Sequence, residues 1–481
     1  MIRPGLVANL LGKVLLGLAA TMLLPLAVAL FAANDDPRPL LWSLLAAAAG
    51  GALAAVRPRS AELSTREALL LTPLLWTVTC AFGALPFYFS AHCKSFTDAY
   101  FESVSGFTTT GATILPEVEV LTPSLQLWRC VTHWFGGMGI LLLVIAVLPL
   151  VGAGGMHLYR AEFSGAKSDK LKPRITETAL ALWKIYVALT AAEFIALRLA
   201  GMDWLDAVCH SFATLGTGGF STRTASIAGF NSPLVEYIII AFMLLAGANF
   251  TRHYRLWVER RPRAFFLDPE IRSFGLFVAG SSALVCVQLM IHSGYGFGRA
   301  LRSSLFQVSS IMTTTGFATD DFEHWAPFAQ LLLLSLMFVG GCTGSTAGGL
   351  KVARIALMFQ VVGRELKRLV QRRGVFAVRL GGQVVPESAI GAALNIFYLA
   401  FLVNFIASLL LAAAGLDILT SISAAAAAMF NIGPGLGTVG PSENYAHLPA
   451  FAKWVLVACM LAGRLEFYSA LIIFTPTFWR K

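Results

Sequence analysis

Four segments of this 481-residue chain carry residues suited to holding a dehydrated cation. Residues 101–113 read FESVSGFTTTGAT, 209–222 CHSFATLGTGGFST, 306–319 FQVSSIMTTTGFAT and 427–437 AAMFNIGPGLG. Their glycines Gly111, Gly218, Gly316 and Gly435 recur roughly one hundred residues apart, the mark of an internal repeat. A cation stripped of water needs several oxygens aimed at one point. Backbone carbonyls supply them only if successive peptides take alternating, partly left-handed torsions, which glycine adopts at little cost. Thr108, Thr109, Thr110, Thr313, Thr314 and Thr315 add hydroxyls and a stiff β-branched wall. Neutral oxygens suit a weakly hydrated monovalent ion such as K⁺, Rb⁺ or Na⁺ better than Ca²⁺ or Mg²⁺.

The elements that position these segments follow from composition. The chain is 57% hydrophobic and 13% charged, with a mean hydropathy of +0.72, which is more apolar surface than a soluble core can hide. Apolar runs of about 20 residues, the length that crosses a bilayer, recur along its whole length. They leave no room for a soluble nucleotide-binding or regulatory domain. The first run, after Arg3 and Lys13, has small residues before Asn34 like a signal peptide, but its length and an immediate second span favour a retained helix. The seven cysteines are scattered with no C-x-x-C pair, so neither a disulfide framework nor a metal site is expected.

The net charge of +10 sorts by side and does not imply nucleic acid. Basic groups cluster at Arg57, Arg59 and Arg66; at Arg160, Lys167, Lys170, Lys172 and Arg174; at Arg252, Arg255, Arg260, Arg261 and Arg263; at Arg364, Lys367, Arg368, Arg372, Arg373 and Arg379; and at Arg480 and Lys481. The intervening loops carry acids such as Asp35, Asp36, Glu117, Glu119, Asp320, Asp321 and Glu323. By the positive-inside rule both termini and the basic loops face the cytoplasm. Glu117 and Glu119 would concentrate cations at the outer mouth.

Residues 5–31 and 39–56 read as a helical hairpin, turned at Asn34-Asp35-Asp36-Pro37. Thereafter each glycine-threonine segment follows an amphipathic stretch too short to span and lies between two long apolar runs. These are expected near 69–90 and 125–150, 178–200 and 233–256, 272–293 and 326–371, and 388–413 and 450–475. The fold expected is an all-α polytopic membrane protein with four helix/pore-loop/helix repeats in pseudo-fourfold arrangement after the hairpin. It divides the chain at 1–66, 67–160, 161–263, 264–379 and 380–481. Irregular backbone at membrane depth must be buried in protein or line a watery path, so four such loops point to one shared axis.

Two further features lie in the spans. Gly340-Gly341-Cys342-Thr343-Gly344-Ser345-Thr346-Ala347-Gly348-Gly349 puts five glycines in ten residues, at roughly a kcal/mol each against helix. It reads as a close packing face of Gly340, Gly344 and Gly348, or as an unwound mobile gate; a phosphate loop would need a Gly-Lys-Ser/Thr ending that is missing. Arg464, near the middle of the last apolar run, must face protein or water. It reads as the partner of a buried acid, Glu466 or Glu193, or as a positive charge on the axis. His133, His210, Asn249, Gln288, Asn395 and Asn404 suit hydrogen bonds between helices.

In order and spacing, TTTGAT, GTGGFST, TTTGFAT and NIGPGLG resemble the TrkH/KtrB superfamily of bacterial K⁺ uptake proteins, and TrkH more than KtrB because of the leading hairpin. The resemblance spans essentially the whole chain. It implies a K⁺ filter of one glycine per repeat, drawing on Thr109, Thr110, Gly111, Thr217, Gly218, Thr314, Thr315, Gly316, Asn431, Ile432, Gly433 and Gly435, with the fourth motif departing from T-x-G. It implies an intramembrane gate of Gly340, Gly341, Thr343, Gly344, Ser345, Thr346, Gly348 and Gly349 acting with Arg464. In related plant transporters a serine at the first filter glycine accompanies Na⁺ transport, so Gly111 favours K⁺. The implied setting is a homodimer in the bacterial inner membrane, in contact with lipid and with a ring of nucleotide-binding TrkA subunits, with no cofactor in this chain. Symport with H⁺ or Na⁺ and organic-solute carriage stay open as alternatives. An enzyme is not expected, for want of a nucleophile-base pair, zinc ligands or an intramembrane aspartate pair.

Overall fold

In the computed structural model the described residues are 2–32, 34–55, 64–147, 175–372, 374–380 and 383–480. Arg57, Arg59, Arg160, Lys167, Lys170, Lys172, Arg174, Arg373 and Lys481 lie outside them. Six helices are long and apolar enough to cross a membrane: Pro4–Phe31, Arg38–Ala55, Thr65–Phe89 with a slight interruption, Ala179–Leu199, Pro269–His292 and Glu387–Ala413. Leu23, Leu53, Leu276 and Phe405 stand more than half exposed on their outward faces, as expected of surfaces set against hydrocarbon. The chain is an all-α polytopic membrane protein. The exception among the described residues is a short antiparallel ribbon that pairs Arg379 with Val384.

The leading hairpin closes on glycine. A Cβ on Gly12 would lie 2.6 Å from the Gly51 carbonyl, and one on Gly51 2.9 Å from that of Gly12, so the two backbones touch as small-residue packing allows in lipid. Its start is tied to the next span. Ser64 and Glu67 form a reciprocal capping box on Thr65–Gly83, and Glu67 also binds Arg3 at 2.7 Å.

Four short helices then alternate with the long ones: Phe96–Phe107, Trp204–Gly216, Phe297–Met312 and Ile418–Met429. At 1.5 Å per residue they reach roughly 18–24 Å, too short to cross. Ser95, Asp203 and Asp417 cap three of their N-termini by accepting backbone N–H groups, as such residues do.

The long run after each short helix follows the sequence expectation in the first and third units and departs from it in the second and fourth. In the first unit Pro123–Val147 is continuous as far as it is described, and residues 148–150 of the expected span lie outside the described residues. The expected 233–256 helix instead breaks into Pro233–Gly247 and Phe250–Trp257, bent by 103°. The 326–371 run is Pro327–Met337, a non-helical stretch, and Val352–Val370, broken where the five glycines of 340–349 disfavour helix, as the sequence leads one to expect. The expected 450–475 helix ends at Arg464 and turns by 120° into Tyr468–Phe474. That last turn has a residue-level cause: Glu466 takes φ 55°, and the Phe467 N–H reaches back to the Ala462 carbonyl, which is a left-handed helix stop built without glycine.

Charged pairs join the units. Arg129 (second long helix, first unit) binds Glu102 (first short helix) at 2.8 Å, both buried, while its Nη1 donates to the Ser221 carbonyl of the second unit. Arg302 lies 2.8 Å from Glu236, and Lys453 2.6 Å from Asp98, linking units two to three and four to one. Removing one member of a buried pair strands a charge, at about 3–5 kcal/mol, whereas replacing both by apolar residues of similar size is often close to neutral. Glu102→Ala is therefore expected to lower the thermal or denaturant midpoint sharply, and the double change Glu102→Leu with Arg129→Met to recover more than half of that loss. A double variant as unstable as the single one would exclude the pair as the cause.

Candidate functional site

Each short helix ends in the same way. Thr109, Thr217, Thr314 and Asn431 take φ of 55°, 54°, 54° and 56°. The next residue sends its N–H back to the fifth residue before it: Thr110 to Ser105, Gly218 to Ala213 and Thr315 to Ser310 at 2.8 Å, and Ile432 to Ala427 at 2.9 Å. This is the Schellman stop, in which the left-handed residue is usually glycine. Here it is a threonine three times, a β-branched residue that left-handed backbone disfavours. One residue further on, Gly111, Gly219, Gly316 and Gly433 return to positive φ of 80°, 82°, 82° and 101°. The alternation is the torsion pattern that turns successive carbonyls to one side.

The four loops close on one another. A Cβ on Gly111 would run into the Gly218 carbonyl, one on Gly219 into that of Thr315, one on Gly316 into that of Ile432, and one on Gly433 into that of Thr110 at 2.6 Å. Unit one thus leans on two, two on three, three on four, and four on one. These glycines jointly line a cavity with Arg129 and Tyr445.

This cycle shifts the register read from sequence. The left-handed glycine is Gly219 in the second unit and Gly433 in the fourth, where Gly218 and Gly435 were expected. Gly218 lies at the level of Thr110, Thr315 and Ile432. Gly435 lies behind the ring, where its N–H donates to the Val439 carbonyl at 2.8 Å and a Cβ would sit 3.1 Å from Ser423 Oγ. Nothing in the motifs separates the two glycines of Gly218-Gly219, or the two that flank Pro434; only the packing does.

The threonine hydroxyls hold the loops from behind. Thr108 pairs with Thr110 at 2.8 Å and Thr313 with Thr315 at 2.7 Å. Asn431 Nδ2 donates to Thr110 Oγ1 at 3.0 Å and to the Met460 carbonyl at 3.1 Å, joining the fourth unit to the first. His133 and His210 serve their surroundings: His133 Nδ1 accepts from the Phe220 N–H, and His210 Nε2 lies 2.9 Å from Ser221 Oγ. Asn249 caps Phe250–Trp257 instead of bridging helices. Glu119, expected at the outer mouth, is stitched to the second unit. Its partial burial would raise the carboxyl's pKa, but hydrogen bonds from the Thr224 hydroxyl and N–H outweigh this and hold it below the usual range.

On the other side of the ring lies the glycine-rich stretch between Met337 and Val352. It is not helical, so Gly340, Gly344 and Gly348 do not form a helix-packing face. Gly340, Gly344 and Gly349 have φ of 77°, 70° and 76°, and Gly340 is packed against Gly349. The stretch fills the break at 248–249. The Cys342 N–H donates to the Gly247 carbonyl at 2.8 Å, the Phe250 N–H to the Gly344 carbonyl at 3.0 Å, and Thr346 Oγ1 to the Ala246 carbonyl at 3.2 Å. Ser345 Oγ donates to the Cys342 carbonyl at 2.6 Å, a Cβ on Gly341 would lie 2.6 Å from Ala347 Cβ, and the Thr343 N–H reaches Glu270 at 2.6 Å. The Gly348 N–H donates to Thr314 Oγ1 at 2.7 Å, tying the stretch directly to the ring.

Arg464 completes this layer. It is 2% exposed, at the end of its helix and not mid-span. Neither proposed acid partners it: Glu466 binds Arg354 at 3.1 Å, and Arg464 donates instead to the Thr346 carbonyl at 3.0 Å and the Gly136 carbonyl at 2.9 Å. A guanidinium aimed at two carbonyls on different units is a clasp between the glycine-rich stretch and the first unit.

Comparison with known proteins places this geometry. The sequence profile of the TrkH family, described as a cation transport protein, matches residues 41–481. The chain is 42% identical over 481 residues to "Trk system potassium uptake protein TrkH" of Escherichia coli strain K12, covering 99% of each chain. It is 42% identical over 483 residues to the protein of that name from Vibrio parahaemolyticus, again covering 99% of each. The crystal structure of the potassium transporter TrkH from Vibrio parahaemolyticus superposes with a TM-score of 0.92 at 39% identity, covering 100% of both chains. With a match over nearly its whole length in both sequence and fold, the chain belongs to the TrkH family of cation transport proteins.

Proposed function

We propose that this protein carries K⁺ across the bacterial inner membrane through the ring of four loops, as a channel-like uptake protein and not as an enzyme. The observation that carries this reading is the closed cycle in which each loop's left-handed glycine abuts a carbonyl of the next unit. Four copies of one backbone turn around an axis offer neutral oxygens to an ion from four sides, and the short-helix C-termini add their negative dipole ends. The names of the relatives, potassium uptake proteins, favour K⁺ as the cargo. In this reading the filter is made by Thr109 to Gly111, Thr217 to Gly219, Thr314 to Gly316 and Asn431 to Gly433, while Gly435 supports it from behind.

The glycine-rich stretch and Arg464 act as the gate. The stretch fills a gap in another helix, and Arg464 clasps it, so opening requires these few hydrogen bonds to be exchanged and not a core to be unpacked. The basic residues Arg252, Arg255, Arg260, Arg261 and Arg263, with Arg364, Lys367, Arg368, Arg372 and Arg379, face the cytoplasm together with both termini. They offer a docking face to a nucleotide-binding TrkA-like subunit, and the working form is a homodimer in lipid. The relatives' designation as part of a Trk system fits a protein that works with others.

Purified protein in liposomes is expected to pass K⁺ and Rb⁺. Gly111→Ser or Gly316→Ala, each adding a Cβ where a carbonyl of the next unit stands, is expected to reduce K⁺/Na⁺ discrimination at least about tenfold, near 1.4 kcal/mol. Selective flux indifferent to changes at Gly111, Gly219, Gly316 and Gly433 would sink the reading. The same flux measured across a set pH or Na⁺ gradient distinguishes passive conduction from symport.

Arg464→Gln is expected to raise unstimulated K⁺ flux several-fold, on the order of 1 kcal/mol off the closed state, with the K⁺/Na⁺ ratio unchanged. Unchanged resting flux would remove Arg464 from the gate.

A further inference from the structure

Tyr445 breaks the symmetry of the ring. It is 3% exposed, and its hydroxyl donates to the carbonyl of Gly433, the fourth unit's left-handed glycine, at 2.7 Å. Among the described residues no hydrogen bond reaches the corresponding carbonyls of Gly111, Gly219 or Gly316. The tyrosine is held there by the first unit. Its backbone N–H donates to the Thr113 carbonyl at 2.8 Å, and its ring packs on Phe101 with centroids 5.5 Å apart. Its ring is therefore held beside the fourth loop, lining the same cavity as the four glycines, before any ion arrives. A carbonyl oxygen has two lone pairs, and the phenol occupies one and fixes the direction of the peptide.

We propose that Tyr445 is a specificity-determining residue that restrains one of the four carbonyls at the glycine level. That level then offers an entering ion three free carbonyls, from Gly111, Gly219 and Gly316, and one that is already engaged. The engaged carbonyl, its electron density drawn to the phenol proton and its direction fixed, is a poorer ligand, so the ion keeps a water on that side and is held less tightly than four free carbonyls would hold it. The proposal rests on the reading of the ring as the ion's path. Its consequence is a fast outer step: an ion bound by fewer competing oxygens leaves for the next level more readily, because conduction needs binding weak enough to escape.

Tyr445→Phe removes the hydroxyl and keeps the ring on Phe101 and the backbone bond to Thr113. In liposomes carrying the full chain, the variant is expected to show a K⁺ concentration for half-maximal flux lowered about threefold or more, with a reduced maximal rate and a raised K⁺/Na⁺ ratio. An affinity and ratio within about twofold of the starting protein, or a weakened K⁺ affinity, overturns the proposal. Gly111→Ser and Gly316→Ala serve as the separating arm. If they change selectivity and Tyr445→Phe does not, the restraint fails and the ring reading stands; if none of the three changes it, the ring reading fails as well.

A second measurement reads the chain with Tyr445 in place. The chain contains two Gly-Pro bonds, Gly433-Pro434 and Gly440-Pro441. Labelling glycine carbonyls with carbon-13 and proline with nitrogen-15 therefore isolates two carbonyl signals by solid-state NMR, and Pro441→Ala identifies them. The Gly433 signal is expected to keep its hydrogen-bonded shift when K⁺ is exchanged for Na⁺. A Gly433 carbonyl that moves with the cation overturns the proposal.

Discussion

A helix stop that holds an L-residue at φ near +55° costs roughly 1–2 kcal/mol per residue, and more where the residue is β-branched. Thr109, Thr217, Thr314 and Asn431 all sit in this state. Such a conformation persists only where its surroundings over-determine it, and here the determinant is the neighbour. Each loop is blocked from relaxing by the next, because Gly111, Gly219, Gly316 and Gly433 lie against carbonyls of other units. No single loop can hold its shape alone. The ring exists only when all four units are assembled, so the inter-unit ties, such as Arg129 to Ser221 and Lys453 to Asp98, also maintain the ring.

The layer across the ring follows from the same scarcity of backbone partners at membrane depth. A broken helix leaves carbonyls and N–H groups that hydrocarbon cannot satisfy. The break at 248–249 and the non-helical stretch after Met337 resolve this by exchanging bonds: Gly247 and Phe250 bind Cys342 and Gly344. Two local defects, in different units, form one hydrogen-bonded structure. Because Gly348 also reaches Thr314, a shift of that stretch must disturb a strained ring residue, a direct physical link between the two layers.

Much of this was legible in the sequence, and the failures are informative. Apolar runs and turn residues located the spans, and the threonine-glycine segments located the four loops. Register within the loops was not legible, because Gly218-Gly219 and Gly433-Pro434-Gly435 each offer two glycines with the same local freedom. The helix break at 248–249 carries only the weak signal of Gly247 and Asn249, and the turn after Arg464 has none, since Leu465, Glu466 and Phe467 are ordinary helix residues. Tertiary partners impose both: the inserted stretch at the first, and Arg354 holding Glu466 at the second. The reading of Arg464 as an ion-pair partner failed for a related reason. Glu466, two residues on, is turned to Arg354 by the left-handed stop, and the guanidinium instead reaches the Thr346 carbonyl of the non-helical stretch and the Gly136 carbonyl of the first unit's helix.

The four units also differ where their backbones agree. At the shared left-handed position Thr314 accepts from the glycine-rich stretch, Asn431 bonds to Thr110 and Met460, Thr217 bonds to its own Gly216 carbonyl, and the Thr109 hydroxyl has no hydrogen-bond partner. One backbone geometry with four different side-chain environments is what a single chain permits and a symmetric assembly of identical subunits does not. The third quadrant is bound to the glycine-rich layer, and the fourth is braced by Tyr445 against the first. A displacement of the glycine-rich stretch would therefore load the ring at one corner, beside a quadrant tied to the first unit, and not evenly on all four sides.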